Sequence, residues 1–500
     1  MILVWLIAIP LVTGIVAGLV ARRSQLLCRW LSLLAMVAGF AMSVAIWVHD
    51  YSHIQLLTQR LWIAQIDVPW IASFGIHFHL AMDGMSLLLI TLTFLLGITS
   101  VMISWREIHD GVGFFHFNLL WVFAGIVGVF LAMDLFLFYF AWELMLIPMY
   151  FLIAIWGHER RIYASVKFFL FTQLSGLLML VAILTLYFAH HAATGVYSFE
   201  YADLMGTPMA PHVAMLVMLG FFVAFAVKLP MFPFHTWLPD AHTEAPTAGS
   251  VVLAGLLLKT GAYGLLRFVL PLFPDAVHRF APIATGLAVV GILYGALLAY
   301  GQTDLKRLVA YTSVSHMGFV LLGIFIGTPL AIAGAFITII AHGISTSTMF
   351  MTVGMVQERT HTRDMDKLGG LWQTVPRLSG ASLFFVLASI GLPGMGDFVG
   401  EFLVLLGTFR VSPVLAGLAT IGVLCSTFYG LKFVARAFHG SNTHQWKLAD
   451  LSGREIAIVS AMMVLLLWLG LYPQPVLNTF QPNLQRLEQV VNGPNMAFRR

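Results

Sequence analysis

About fourteen runs of roughly twenty apolar residues follow one another along this chain, the first near 2–21 and the last near 455–472. Each run is long enough to cross a bilayer as a helix, and closed barrels use short alternating strands instead. The chain is 60% hydrophobic and 10% charged, with a mean hydropathy of +0.91, which exceeds what a soluble fold needs. The sequence therefore predicts an all-α polytopic membrane protein.

Basic residues in the loops predict the orientation, because positive charge is enriched in short cytoplasmic loops. The loop after the first span contains Arg22, Arg23 and Arg29. Lys306 and Arg307 fall on the same side by count, whereas loops 190–212 and 272–281 on the other side are poor in Lys and Arg. We predict a bacterial inner-membrane protein with both termini in the periplasm. The basic loops account for the pI near 9, so no nucleic-acid partner is expected.

A charge and a helix break coincide in the seventh span. Lys228 is followed by prolines, and His235, Asp240 and His242 lie in the same segment. A lysine near the bilayer centre costs about 3 kcal/mol or more, and broken backbone at that depth persists only inside protein or beside water. The combination predicts a path for ions or protons, with His235 and Asp240 in supporting roles.

Two more intramembrane charges extend this prediction. Glu143 lies about nine residues into the fifth span, roughly 13 Å deep, and is the natural partner of Lys228. A pair that can be made and broken would switch the lysine's affinity for a proton. Lys259 lies near the middle of the eighth span. Asp134 precedes the fifth span, where it is either a further supporting residue or simply a helix start.

Polar residues also occur inside the tenth to twelfth spans. His316 and His342 lie on neighbouring spans among serines and threonines, which suits a proton relay better than a pair of haem ligands. The twelfth span is interrupted at Gly391-Leu-Pro-Gly394 and then carries Asp397 and Glu401 one helical turn apart. We interpret Glu401 as an acid of the same path.

The two breaks suggest an internal repeat. Pro230 and Pro393 lie 163 residues apart, and the spans before and around each are of similar length. Paired broken helices mark the ion sites of transporters that are built from repeats. Five spans are an odd number, so the second copy must be inverted. We predict residues 1–112 as flanking spans 1–3, 113–272 as the first repeat (spans 4–8), 273–438 as the second repeat (spans 9–13) and 439–500 as span 14 with an external tail.

Four further features of the sequence add to this scheme. The alternating residues within the long external loop 49–79 predict a short hairpin. Arg267 ends the eighth span and is expected to extend outward to the interface. Residues beyond Tyr472 have no long apolar run and are expected to form a short external extension. The two cysteines form no metal or redox motif.

The motifs Thr312-Ser-Val-Ser-His-Met-Gly318, the broken Lys228 span and Gly391-Leu-Pro-Gly394 resemble a known family over nearly the whole chain. It is that of the antiporter-like membrane subunits of respiratory complex I, the proton-translocating NADH-quinone oxidoreductase. Within that family, the chain is most similar to the group with glutamate in span 12 and without a long lateral helix.

The resemblance implies two inverted five-helix bundles, with Glu143, Lys228, Lys259, His316, His342 and Glu401 as the proton-translocating residues. It implies partners in the membrane arm, including the sister antiporter-like subunits, and redox chemistry in other subunits, so no cofactor or metal is expected in this chain. Three alternatives remain open: a subunit of a multi-subunit Na⁺/H⁺ antiporter or membrane-bound hydrogenase, a passive membrane scaffold, and a stand-alone transporter.

Overall fold

The computed structural model of the protein describes residues 1–54, 62–442 and 445–491. Within these residues, thirteen helices are long and apolar enough to cross a membrane, and two shorter helices together provide one further crossing. The helices are α1 (Ile2–Val20), α2 (Gln25–Ile54), α3 (Gly84–Glu107), α4 (Val112–Leu131), α5 (Leu135–Trp156), α6 (Arg161–Thr194), α7 (Pro211–Lys228), α8 (Trp237–Glu244), α9 (Thr247–Leu272), α10 (Pro274–Gly301), α11 (Leu305–Ile326), α12 (Pro329–Thr360), α13 (Pro376–Ser389), α14 (Gly396–Phe409), α15 (Pro413–Ala437), α16 (Gly453–Leu471) and α17 (Gln474–Val491). The predicted all-α polytopic class, with about fourteen crossings, is confirmed.

Both predicted interruptions are present, at the end of α7 and between α13 and α14. α7 ends at Lys228 because Pro230 has no backbone N–H with which to continue the ladder. α13 ends in a Schellman turn, in which Gly391 has a φ of 79° and the N–H of Leu392 donates to the carbonyl of Leu387 over 3.1 Å. The two inverted repeats and the division into four domains remain a prediction.

The central helix of the molecule is α9. Its most apolar 18-residue window is 100% buried, and that of α12 is 94% buried, whereas those of α1, α15 and α16 are 28–33% buried. Helices that are buried on all sides belong to the interior of a bundle. α9 also contains two π-helical turns, Leu253–Leu257 and Leu265–Val269, on either side of Lys259. Such turns are frequent at functional sites.

A two-stranded antiparallel sheet lies before α3, formed by β1 (Ala64–Ile71) and β2 (Ile76–Met82). The chain turns between the strands at Gly75, whose φ is 65°. The hairpin expected within 49–79 is therefore present, although β2 extends to Met82 and residues 55–61 lie outside the described residues.

The segment after Tyr472 contains an 18-residue helix, α17, that packs on the bundle. Its buried residues recur at helical spacing, at Val476, Phe480, Leu484 and Leu487. The ring of Phe480 stacks on Phe336 of α12 with centroids 4.1 Å apart. Only one face is apolar, so the segment shows no long apolar run.

Candidate functional site

Four buried side chains form a line from the middle of α9 to α14. The ammonium of Lys259 donates to the carbonyl of Ala254 over 2.6 Å and lies 2.7 Å from Nδ1 of His342. The rings of His342 and His316 are 5.6 Å apart, and Nδ1 of His316 lies 2.6 Å from Oε1 of Glu401. All four residues are at most 4% exposed. The structure thus brings together four of the predicted site residues, which we call the relay.

Further polar groups surround the relay. Nε2 of His316 lies 3.2 Å from both the Ser389 and Tyr429 hydroxyls. Asp397 accepts a hydrogen bond from Ser345 at 2.9 Å through Oδ1, while its buried Oδ2 has no partner in the described part of the chain. The charge of Asp397 acts on both Lys259 and His316. Sequence reasoning missed Tyr429 and Ser389 because an isolated hydroxyl in an apolar span gives no signal.

Lys228 and Glu143 form a second, separate group. Lys228 is 1% exposed, and its Nζ lies 5.1 Å from the centroid of the Trp142 ring and 5.6 Å from that of Phe168. It interacts electrostatically with Glu143, yet Nζ makes no hydrogen bond within the described residues. Gly176 leaves the space that Oε1 of Glu143 occupies, since an added Cβ would lie 2.7 Å from that oxygen. Glu143 and Lys228, which the sequence predicts as partners, are therefore neighbours. Their pairing is loose, because no hydrogen bond of the Lys228 ammonium holds the two groups at a fixed distance within the described residues.

The supporting residues have different surroundings. Asp240 pairs with Lys167 at 2.7 Å and with Arg307 at 3.2 Å, so it joins α8 to α6 and α11. His235 is buried, with its ring 5.5 Å from that of Tyr294. Asp134 caps α5 by accepting from the amides of Phe136 and Leu137. These contacts do not connect the three residues to the relay.

A polar cluster closes the end of the bundle at which the basic loops lie. Lys306 is fully buried and donates to the carbonyl of Ala245 over 2.9 Å, with Nε2 of His158 at 3.3 Å. Burial, together with the charges of Lys306 and Arg363, lowers the pKa of His158 to about 3. A cavity of about 380 Å³, lined by Glu107, His158 and Gln357 among others, opens beside this cluster. Lys306 is therefore an interior residue, although the sequence places it near a loop.

The expectation that Arg267 extends outward is wrong. Its side chain is buried, donates to Asp83 and to the Tyr263 hydroxyl, and so stays inside the bundle. Asp83 also caps α3 by accepting from the amide of Ser86 over 3.0 Å. A buried guanidinium needs a counter-ion, and a local sequence pattern could not supply one located 184 residues away.

The relay consists of groups that exchange protons readily over hydrogen-bond distances: imidazole nitrogens, a lysine amine and a carboxylate. The links from Lys259 to His342 and from His316 to Glu401 are at such distances, whereas the rings of His342 and His316 lie 5.6 Å apart without a hydrogen bond between them in the described residues. Among the described residues, the side chains that could together hold a metal ion are Asp67, His79 and Glu200, which lie on the hairpin and beside it rather than on the relay.

Comparison with known proteins identifies the family. A model of the family described as "NADH:quinone oxidoreductase/Mrp antiporter, TM" matches residues 132–428, more than half of the chain. The chain belongs to this family. The matched range contains every residue of the relay, as well as Glu143 and Lys228.

Relatives of this member of the NADH:quinone oxidoreductase/Mrp antiporter family match over its full length. NADH-quinone oxidoreductase subunit M of Pseudomonas aeruginosa is 53% identical over 497 residues, with 98% of each chain covered. Subunit M of Escherichia coli (strain K12) is 51% identical over 498 residues, again with 98% of each covered. A chain of respiratory complex I from Thermus thermophilus with bound NADH superposes with a TM-score of 0.87 at 31% identity, covering 99% of this chain and 100% of that one. A chain of the Mrp complex from Dietzia sp. gives 0.84 at 20% identity over 98% and 97% of the two chains, which shows the fold alone.

Proposed function

We propose that this chain is a membrane-arm subunit of an NADH-quinone oxidoreductase and that it carries one proton path coupled to quinone reduction elsewhere in the complex. The observation that supports this most strongly is the buried relay from Lys259 through His342 and His316 to Glu401. Its partners are the other membrane-arm subunits, including the sister antiporter-like subunits. NADH oxidation takes place in partner subunits, and this chain supplies no cofactor or metal for it.

The path begins at the cytoplasmic side and reaches Lys228 first. The loose pairing of Lys228 with Glu143 suits a switch, because the carboxylate can approach or leave the ammonium without breaking a fixed hydrogen bond. The proton then passes to Lys259, across a gap that the described side-chain hydrogen bonds do not bridge, so water is the carrier there. From Lys259 it follows the relay to Glu401 and leaves on the periplasmic side. Each proton moved against 100 mV costs about 2.3 kcal/mol, which quinone reduction must supply.

The test is NADH-driven proton uptake by inverted membrane vesicles that carry Lys259→Ala. We expect an assembled complex, checked by native gel, in which pumping and coupled NADH–quinone turnover are both lost. Lys432→Ala is the matched control, since Lys432 is a helical lysine whose ammonium donates only to the carbonyls of Tyr300 and Gln302 among the described groups, away from the relay. Normal pumping by an assembled Lys259→Ala complex would leave the chain as a passive scaffold.

A subunit of a multi-subunit Na⁺/H⁺ antiporter is the second candidate, because the family that matches the chain includes such proteins. The same vesicles distinguish the two functions. NADH-driven proton pumping that persists without sodium supports the proton path. Proton movement that requires a sodium gradient and does not change when NADH is added supports the antiporter.

A further inference from the structure

The hairpin places two histidines and a carboxylate on one face. In the β1–β2 register, Asp67 lies opposite His79. His77 precedes His79 by two residues, so its side chain lies on the same side of the sheet. Nδ1 of His77 is 2.7 Å from Oδ1 of Asp67. Three groups that bind transition metals thus converge from two adjacent strands.

A second carboxylate reaches this face from a distant part of the chain. Glu200 follows α6, and its segment is held in place because the N–H of Leu135 donates to the carbonyl of Phe199 and the N–H of Tyr201 donates to that of Met133. Oε2 of Glu200 lies 2.6 Å from Nδ1 of His79, and Oε1 lies 4.0 Å from Nδ1 of His77. Oε1 is buried and makes no hydrogen bond within the described residues.

We propose that Asp67, His77, His79 and Glu200 form a binding site for a divalent transition-metal ion, best matched by Zn²⁺, on the external face of this protein. It lies apart from the relay, and it does not depend on the proton path. Two imidazole nitrogens and two carboxylate oxygens are a donor set suited to Zn²⁺, whereas Ca²⁺ and Mg²⁺ prefer sites made of oxygen alone.

The distances allow this site to form with small movements. Neighbouring ligand atoms around tetrahedral Zn²⁺ lie about 3.3 Å apart. The ligand atoms of Asp67, His79 and Glu200 lie within 4.8 Å of one another, and the hydrogen-bonded pairs are at 2.6 and 2.7 Å. Side-chain rotations would bring the distances between the ligand atoms to the spacing that tetrahedral Zn²⁺ requires. Glu200 and His79 are 12% and 13% exposed and form the floor, while Asp67 at 47% leaves an open rim through which an ion can enter.

Equilibrium dialysis of radioactive Zn²⁺ against the purified, detergent-solubilised complex tests the proposal. We expect His79→Gln/Glu200→Gln to bind one Zn²⁺ fewer per complex than the wild type, and His77→Gln to bind that ion at least about tenfold more weakly. His212→Gln, which changes an exposed histidine at the start of α7, should match the wild type. NADH oxidation and a native gel check that each complex is intact.

Equal Zn²⁺ binding by the wild type and the double variant would overturn the proposal.

Discussion

At the scale of single residues, the buried charges of this protein fall into two kinds. Arg267 and Asp83 form a fixed pair, and Asn483 donates to the same carboxylate over 2.5 Å. Nζ of Lys228 has no hydrogen-bond partner among the described groups. It lies over the ring of Trp142 and interacts electrostatically with Glu143. Fixed pairs stabilise one arrangement, whereas a loosely held charge can change state at little cost. Arg267 therefore belongs to the framework, and the surroundings of Lys228 are compatible with its place on the proposed path.

The first prediction concerns Asp83→Asn. It leaves the Arg267 guanidinium buried without its counter-ion, which costs about 3–5 kcal/mol. We expect the variant complex to dissociate at a lower temperature, measured by native gel after stepwise heating. Asp83→Asn/Arg267→Gln should recover part of the loss, because the orphan charge is gone. Asp275→Asn, at an exposed acid in the first turn of α10, is the control and should change little.

The Asp83–Arg267 pair also determines how the stability of the protein depends on pH. Burial opposes ionisation of Asp83, but Arg267 and the hydrogen bonds hold its pKa below the ordinary value of 3.8. A lowered pKa in the folded protein means stability that is present above that ordinary value and lost only as the pH falls through the folded pKa. The difference between the wild type and Asp83→Asn should therefore be the same at pH 6 and pH 8. A difference that disappears between these values would contradict the assignment.

At the scale of elements, buried charged residues lie beside the two helix breaks. α7 ends at Lys228 itself, and α14 begins a few residues before Glu401. An unbroken helix could carry the same residues, but it would leave no free backbone groups or polar space beside them. The π turns of α9 also provide a backbone group beside a buried charge. The ammonium of Lys259 donates to the carbonyl of Ala254, which lies five residues earlier, within the first π turn.

The second prediction tests the break between α13 and α14. Gly391 has a φ of 79°, and a Cβ there would meet only Oε2 of Glu401, at 3.7 Å. Gly391→Ala should thus cost about 1–2 kcal/mol through backbone strain rather than a clash. Gly380→Ala, in α13 where an added Cβ meets nothing within 4 Å, is the matched control and should be neutral or slightly stabilising. Dissociation temperatures of the two complexes provide the measurement, and equal values would show that the turn is not strained by a side chain.

At the scale of the whole molecule, several ion pairs join distant parts of the chain at the basic end. Asp240 bridges α6 and α11, and Arg363 pairs with Asp304 at 2.5 Å and with Glu244 at 3.3 Å. These contacts lie at the entrance that the proposed path uses. Exposed apolar side chains instead cover α1, α6 and α15, which suits contact with lipid tails or with neighbouring subunits.

The third prediction concerns orientation. If the basic loops are cytoplasmic, Met205→Cys should react with a membrane-impermeant thiol reagent added to intact spheroplasts, because Met205 is 41% exposed in the opposite loop. Lys367→Cys, in a basic loop, should react only after permeabilisation. The wild type is the control for Cys28, which is buried, and Cys425, which is half-buried. The reverse pattern of labelling would invert the proposed topology and the direction of the path.

Much of this protein follows from local sequence. Apolar run length determines the number of crossings, and proline and glycine determine where α7 and α13 end. Isolated Lys, His and Glu residues within the spans indicate the proposed site. These signals are strong because burying a charge or breaking a helix in lipid costs several kcal/mol. Such residues are therefore rare within spans unless they have a structural or functional role.

Apart from Glu143 and Lys228, which the sequence predicts as partners, the contacts between buried residues were decided by the tertiary structure. The sequence does not indicate that Arg267 meets Asp83, that Lys306 is enclosed, that Tyr429 lies beside His316, or that α17 packs on α12. Each contact joins residues far apart in the chain, and its geometry depends on how whole helices pack. Hydropathy and spacing act within one helix, whereas pairing depends on distances between helices, which no single segment encodes.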